Sequence, residues 1–152
     1  MLSKNIVSQV LAKCLITGGD FAEIFEDDSI NNSISLVDGK VQDAIGGRSY
    51  GIGIRIFKGL KSVYAYTNNN SLNSLLETAY RAALALGDVK EEKSIVLSEK
   101  KIETIHPILY YPKDVQYERK ISILKSAYNG AKNYNSDISQ VISSYSDKEQ
   151  SI

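Results

Sequence analysis

The sequence predicts an α+β fold: a mainly antiparallel sheet with hairpins, flanked by an N-terminal helix and an alanine- and leucine-rich helix, then the helix and strand that start a second domain. Three observations carry this. Ile52, Ile54 and Ile56 alternate with Gly51, Gly53, Arg55 and Phe57, the period of two of a strand with one apolar face. Asp38-Gly39, between Val37 and Val41, is the strongest short hairpin signal in the chain, because both central positions of a type I′ turn take positive φ. Apolar residues at three-and-four spacing before and after these strands mark one face of a helix on each side, so that helices can cover the apolar side of the sheet.

In chain order, Ser3 is the N-cap of a first helix whose apolar stripe is Ile6, Val7, Val10, Leu11, Cys14 and Leu15, and Gly18-Gly19 stops it at about Ile16. Residues 21–26 have the aromatic and branched content of a strand, and Asp27-Asp28-Ser29 reads as a polar break. A second strand over 33–37 returns through 41–45 after the Asp38-Gly39 turn, and Gly46-Gly47-Arg48 joins it to the isoleucine strand. Lys58-Gly59 turns that strand back into one carrying Val63, Ala65 and Thr67 opposite Ser62, Tyr64 and Tyr66. Ser71 then caps a helix whose face is Leu72, Leu75, Leu76, Ala79, Ala83 and Leu86, closed by Gly87. Its alanines allow a close approach to a sheet.

From 88 to 101 the composition turns to Lys-Glu-Glu-Lys and Ser-Glu-Lys-Lys, a charged connector with at most one short edge strand around Ser94-Ile95-Val96-Leu97. Pro107 and Pro112 bracket Ile108, Leu109, Tyr110 and Tyr111, four bulky side chains expected to dock on a surface. Asp114 is expected to cap a helix with Tyr117, Ile121, Leu124, Tyr128 and Ala131 on one face, and residues 139–145 read as a strand. Asp147-Lys148-Glu149-Gln150 reads as a turn into a further element, so the polypeptide is expected to continue past Ile152. The domains expected are 1–87, a connector over 88–113, and the start of a central domain over 114–152.

Composition narrows the function. The 152 residues suit one domain, or one domain and part of another. Lys+Arg and Asp+Glu are equal at 18, and no segment concentrates cations, which argues against nucleic acid as a partner. No apolar run approaches the roughly 18 residues of a membrane span, and the N-terminus lacks the apolar block of a signal peptide; a cytoplasmic location is expected, with no membrane partner. A single cysteine, Cys14, excludes an intrachain disulfide and a cysteine-rich zinc module; it lies on the helical stripe as an inert thiol. The single histidine, His106, precedes Pro107 in a loop and reads as a surface residue, leaving too few imidazoles for histidine-based zinc sites or triads. Asp27-Asp28 reads as a solvated pair, against a hydrolase built on carboxylates alone.

Gly51 and Gly53 leave one face of the isoleucine strand bare. Either a neighbouring element crosses closely there, or an extended peptide approaches the exposed backbone. Arg55 on the same face is a solvated charge or a guanidinium for a peptide carboxylate. The residues alone leave both pairs of alternatives open.

Four blocks, Gly19-Asp20-Phe21-Ala22-Glu23-Ile24, Val37-Asp38-Gly39-Lys40-Val41, Ser49-Tyr50-Gly51-Ile52-Gly53-Ile54-Arg55 and Tyr64-Ala65-Tyr66-Thr67-Asn68 before an alanine-rich helix, resemble in order and spacing the N-terminal part of the TldD/PmbA peptidases. The segment from Pro107-Ile108-Leu109-Tyr110 through Pro112 and Glu118-Arg119-Lys120 is more similar to the TldD branch, so the resemblance extends over essentially the whole chain. It implies a zinc-dependent peptidase of peptides or unfolded proteins, a dimer of related or identical subunits with the active site enclosed between them. In that family zinc is held by a His-Glu-x-x-x-His motif and a distant cysteine, polarises the scissile carbonyl and acidifies its water, with the glutamate as general base. The motif needs two histidines, and Cys14 lies in the wrong part of the chain. The resemblance therefore transfers no catalytic, cofactor-binding or metal-binding residue here. It implies scaffold and chamber wall, inactive alone, with Gly51, Gly53 and Arg55 as peptide-contact candidates. The alternative is a non-enzymatic partner subunit or interaction module, which the ten tyrosines also suit.

Overall fold

A computed structural model describes residues 1–90, 94–100, 102, 103 and 105–152. Its elements are α1 (Lys4–Cys14), β1 (Phe21–Val37), β2 (Lys40–Lys58), β3 (Lys61–Thr67), α2 (Leu72–Leu84), a 3-10 turn (Pro112–Asp114), α3 (Tyr117–Lys132) and β4 (Ile142–Ser151). The strands form one antiparallel sheet in the order β3-β2-β1-β4, and the α+β class read from the sequence is borne out. Two compact units divide the chain: Met1–Asp28 with Tyr50–Glu103 and Ile152, and Ser29–Ser49 with Thr104–Ser151.

In the first unit Ile52, Ile54 and Ile56 are fully buried in one cluster with Val10 and Cys14 of α1, Ile16 just past its end, and Leu75, Ala79, Ala82 and Ala83 of α2. Ser3 caps α1 by accepting from the Ile6 amide, and Ser71 caps α2 by accepting from the Ser74 amide, each satisfying a donor that a helix start leaves over. The helix ends are tied to the sheet: Lys58 Nζ donates to the Thr17 and Leu86 carbonyls at 2.7 and 3.2 Å, and Thr17 Oγ1 donates to the Ala83 carbonyl at 3.1 Å. β2 and β3 pair from Ile52↔Thr67 to Lys58↔Lys61, around a two-residue turn in which Gly59 takes φ +57°.

In the second unit Ile34 and Leu36 of β1 are fully buried against Leu124 of α3, with Ile121 and Tyr145 packed beside them. Asp38 and Gly39 both take positive φ, 48° and 75°, as a type I′ turn requires. The Asp38 amide donates to the Val141 carbonyl at 2.9 Å, and its Oδ1 accepts from the Val141 amide at 3.0 Å.

Several local expectations are overturned. Asp27-Asp28-Ser29 and Gly46-Gly47-Arg48 are not breaks: β1 and β2 run unbroken for 17 and 19 residues. The turn at Asp38-Gly39 makes the two strands antiparallel neighbours, and both continue through their polar stretches. There the ladder satisfies the peptide groups whatever the side chains are. Asp147-Lys148-Glu149-Gln150 is strand too, continuing β4, because Asp147 and Glu149 meet cations on the covered side. Asp114 lies in the 3-10 turn, and the N-cap of α3 is Gln116, without a side-chain bond. Ser94-Ile95-Val96-Leu97 forms no strand, within the limit of at most one edge strand expected there, and the Ile95 carbonyl accepts from Ser8 Oγ. Ile108, Leu109, Tyr110 and Tyr111 are all exposed rather than docked. Of the charged connector, Glu91, Glu92, Lys93 and Lys101 lie outside the described residues.

Ile54→Ala removes a fully buried side chain from the centre of the first cluster. It is expected to lower unfolding free energy by about 2–5 kcal/mol, read as a lower urea midpoint at unchanged slope. Loss below about 1 kcal/mol would contradict the packing described.

Candidate functional site

The isoleucines fill one face of β2, so Gly51, Gly53, Arg55 and Phe57 occupy the other. Tyr64 of β3 pairs with Arg55, and Tyr66 with Gly53. From β1, Glu23 places its Oε1 3.3 Å from the Arg55 guanidinium, and Phe21 sits 5.9 Å from Phe57 between ring centroids. The guanidinium also lies 5.7 Å from the Tyr64 ring and 6.0 Å from that of Phe57. Both members of the ion pair are about half exposed, so its attraction is largely screened and worth at most about 1 kcal/mol. A shallow cavity of about 290 Å³ is lined by Glu23, Ile24, Phe25, Gly53, Arg55 and Tyr64.

Gly53 and Arg55 therefore border one cavity, while Gly51 is not among its lining residues. The two glycines differ. A Cβ on Gly53 would run into the Tyr64 ring and hydroxyl, whereas at Gly51 the nearest atom is the Thr67 carbonyl oxygen at 4.0 Å. Tyr64 thus uses the space that Gly53 leaves, a neighbouring-element role for that glycine. Arg55 can form a charge-assisted pair with a peptide carboxylate only in competition with Glu23.

A second polar cluster escaped the sequence reading. Lys120 and Asp147, with side chains 2% and 8% exposed, form a 2.7 Å ion pair between α3 and β4. Asp147 Oδ1 also accepts from Asn32 Nδ2 at 2.8 Å, and Asn32 Oδ1 accepts from the Tyr117 hydroxyl at 2.9 Å. The ammonium lies 5.5 Å from the rings of both Tyr117 and Tyr145. Burial opposes ionisation of both partners, but the mutual bond and charge prevail: Lys120 is held above the ordinary lysine value, and Asp147 below the usual carboxylate value. The available signal was the alternation of Val141, Ser143 and Tyr145, which continues through Asp147 and Glu149. Beside this network a cavity of about 640 Å³ is lined by residues 31–33, 45–49 and 146–148.

Among the described residues the donors do not suit zinc. Cys14 is fully buried, and desolvation pushes its thiol up to about 12, far from the thiolate that metals bind. His106 is exposed, and among the described residues no group of three or more His, Cys, Asp or Glu converges as a metal site.

Comparison with known proteins bears out the resemblance. Residues 22–83 match the family described as PmbA/TldA metallopeptidase domain 1. A metalloprotease of Methanocaldococcus jannaschii is 27% identical over 141 residues, 88% of this chain and 30% of that protein. Among solved structures, a Bacteroides thetaiotaomicron protein described as a candidate modulator of DNA gyrase superposes with TM-score 0.69 at 19% identity, over 99% of this chain and 36% of its own. TldE from Thermococcus kodakarensis superposes with TM-score 0.59 at 17% identity, over 97% of this chain and 33% of its own. Both structures share the fold; the chain spans about a third of the length of these relatives. TldD and PmbA branches are not separated by these matches.

The Lys120–Asp147 pair sets the pH dependence of stability. Asp147, with a depressed folded value, contributes fully above about pH 3.9 and loses its contribution as pH falls through the lower folded value. Lys120, with a raised value, contributes fully below about pH 10.4 and loses it as pH rises through the folded value. Asp147→Asn is expected to flatten the acid limb of a stability profile. Asp147→Ala, leaving a buried ammonium, should lose about 3–5 kcal/mol by urea denaturation. An unchanged acid limb in Asp147→Asn would contradict the assignment.

Proposed function

We propose, for a chain whose residues 22–83 match the first domain of the PmbA/TldA metallopeptidases, that it supplies the scaffold and chamber wall of a TldD-type peptidase. The observation that carries the reading is that match. In this reading zinc is bound by a His-Glu-x-x-x-His motif that residues 1–152, with one histidine, do not contain. When bound it supplies the Lewis acid that activates water. The residues described here build the sheet and present Arg55, Gly51 and Gly53 to an extended peptide. Arg55 would attract a carboxylate, and Gly53 would admit a backbone once the flexible Tyr64 ring swings aside.

The reading further assigns 1–87 to the first domain, 88–113 to a connector and 114–152 to the start of the central domain. It pairs the chain with a related or identical subunit, takes peptides or unfolded proteins as substrate, and places the assembly in the cytoplasm, where a lone reduced cysteine is at home. A second reading, an interaction module without chemistry, is favoured by one observation. Phe21, Phe25, Tyr64 and Tyr66 are 49–79% exposed on the face that carries Arg55, a composition suited to a protein interface.

The two readings part in a fluorogenic peptide assay. The chain alone with added zinc is expected to give no turnover, and chelator-sensitive turnover by it alone would overturn the scaffold reading. Assembled with a family polypeptide that carries the metal motif, it is expected to support hydrolysis. There Arg55→Ala should raise KM several-fold at unchanged kcat, as loss of uniform binding does. No gain from the assembly would favour the module.

A further inference from the structure

The geometry points to a second peptide site: the outer edge of β2 over residues 40–47, which takes one extended peptide strand with a basic residue between two apolar ones. β3 pairs with β2 from Ile52 to Lys58, and among the described residues the strand order places no other strand on that side. All eight residues 40–47 are strand and all are exposed. Every second residue of such an edge turns its N–H and C=O outward, a template for another backbone. The usual protections are missing, since the stretch holds no proline, and Lys40, its one lysine, lies beside the turn. Gly47 adds an opening: nothing lies within 4 Å of where its Cβ would stand.

Side chains choose the occupant. Val41, Asp43, Ile45 and Gly47 share one face; Val41 is 45% and Ile45 67% exposed, and Asp43, bonded only weakly to Ser35 Oγ at 3.3 Å, lies between them. An incoming strand is therefore best served by apolar side chains opposite Val41 and Ile45 and a cation opposite Asp43. A second copy of the chain does not meet this need. Two-fold antiparallel pairing sets odd positions against odd ones, so Asp43 would face only Val41, Asp43, Ile45 or Gly47 of the other copy. The area is also too small for a stable dimer. Eight residues at about 3.3 Å each and a sheet about 10 Å thick bury roughly 500 Å² in total, against the about 1,000 Å² that a lasting interface needs. A peptide held transiently is the match.

This inference rests on the peptide-handling reading above but is tested apart from it, since it requires no hydrolysis. Fluorescein-labelled decapeptides alternating threonine with valine, with lysine or glutamate at the central valine position, are titrated into the chain and followed by anisotropy and amide hydrogen exchange. The lysine peptide is expected to bind about three- to fivefold tighter than the glutamate one, with exchange slowed over residues 40–47. Asp43→Lys, an exposed substitution, should invert the preference, and N-methylation of alternate peptide amides in the pairing frame should abolish binding. Equal affinity for both peptides, protection confined to other residues, or self-association that buries this edge without peptide would overturn the assignment. Zinc-dependent turnover in the assembled enzyme, tested above, fails or holds independently of these outcomes.

Discussion

Every buried side chain of the sheet depends on the register between β1 and β2. Side chains alternate with a period of two, so a slip of one residue would turn Ile34 and Leu36 to the other face of β1, or Ile52, Ile54 and Ile56 to the other face of β2. The same two strands serve both hydrophobic clusters, so an error at the turn would propagate into each. Asp38-Gly39 pins the turn by backbone conformation, and Asp38 is fastened to Val141 by both its amide and its carboxylate. The Tyr128 ring lies where a Cβ on Gly39 would come within 2.9 Å, which excludes larger residues from a position already at positive φ.

The second cluster is small in apolar terms: among the described residues it holds three buried hydrophobic side chains, Ile34, Leu36 and Leu124. What it lacks in apolar area it replaces with a polar lattice, in which Lys120, Asp147, Asn32 and Tyr117 bond in series across α3, β4 and β1. Such a lattice adds little over an apolar core of equal shape, but it is unforgiving of partial loss, because removing Lys120 or Asp147 strands a buried charge. It therefore specifies where β4 lies more than it stabilises the fold. Two residues further along the strand Glu149 pairs with Lys113 at 2.8 Å, but there the lysine is about half exposed and the pair is partly solvated.

Legibility followed the range of the interactions. Helix starts at Ser3 and Ser71, the two glycine-bearing turns and the isoleucine stripe are encoded within a few residues, and the structure reproduces them. The false breaks at Asp27-Asp28-Ser29 and Gly46-Gly47-Arg48 arose because polarity was read strand by strand, while a ladder bonds backbone to backbone. The burial of Lys120 was illegible from its own helix, since its partner lies 27 residues away on a segment that read as a turn. At residues 108–111 the error ran the other way: apolar content implied burial, yet nothing in the local sequence supplies a surface to receive those side chains. Of the candidate site, the shared face of Gly51, Gly53 and Arg55 was legible from alternation, but the Glu23 partner and the Tyr64 cover were not.

Backbone can be offered to a ligand in two ways, and the chain contains both. At Gly53 the main chain is bare in sequence but roofed by Tyr64, so access requires a side-chain rearrangement and competes with the packing that the ring makes against Arg55. Along residues 40–47 the offer is lateral, through the hydrogen-bonding edge, and requires no rearrangement. Recognition by an edge reads the peptide backbone first and side chains only at alternate positions, which gives breadth with a mild bias. Recognition by Arg55 would read a single charge. A protein that handled many extended chains would be served better by the first, with a guanidinium as an additional anchor, than by the guanidinium alone.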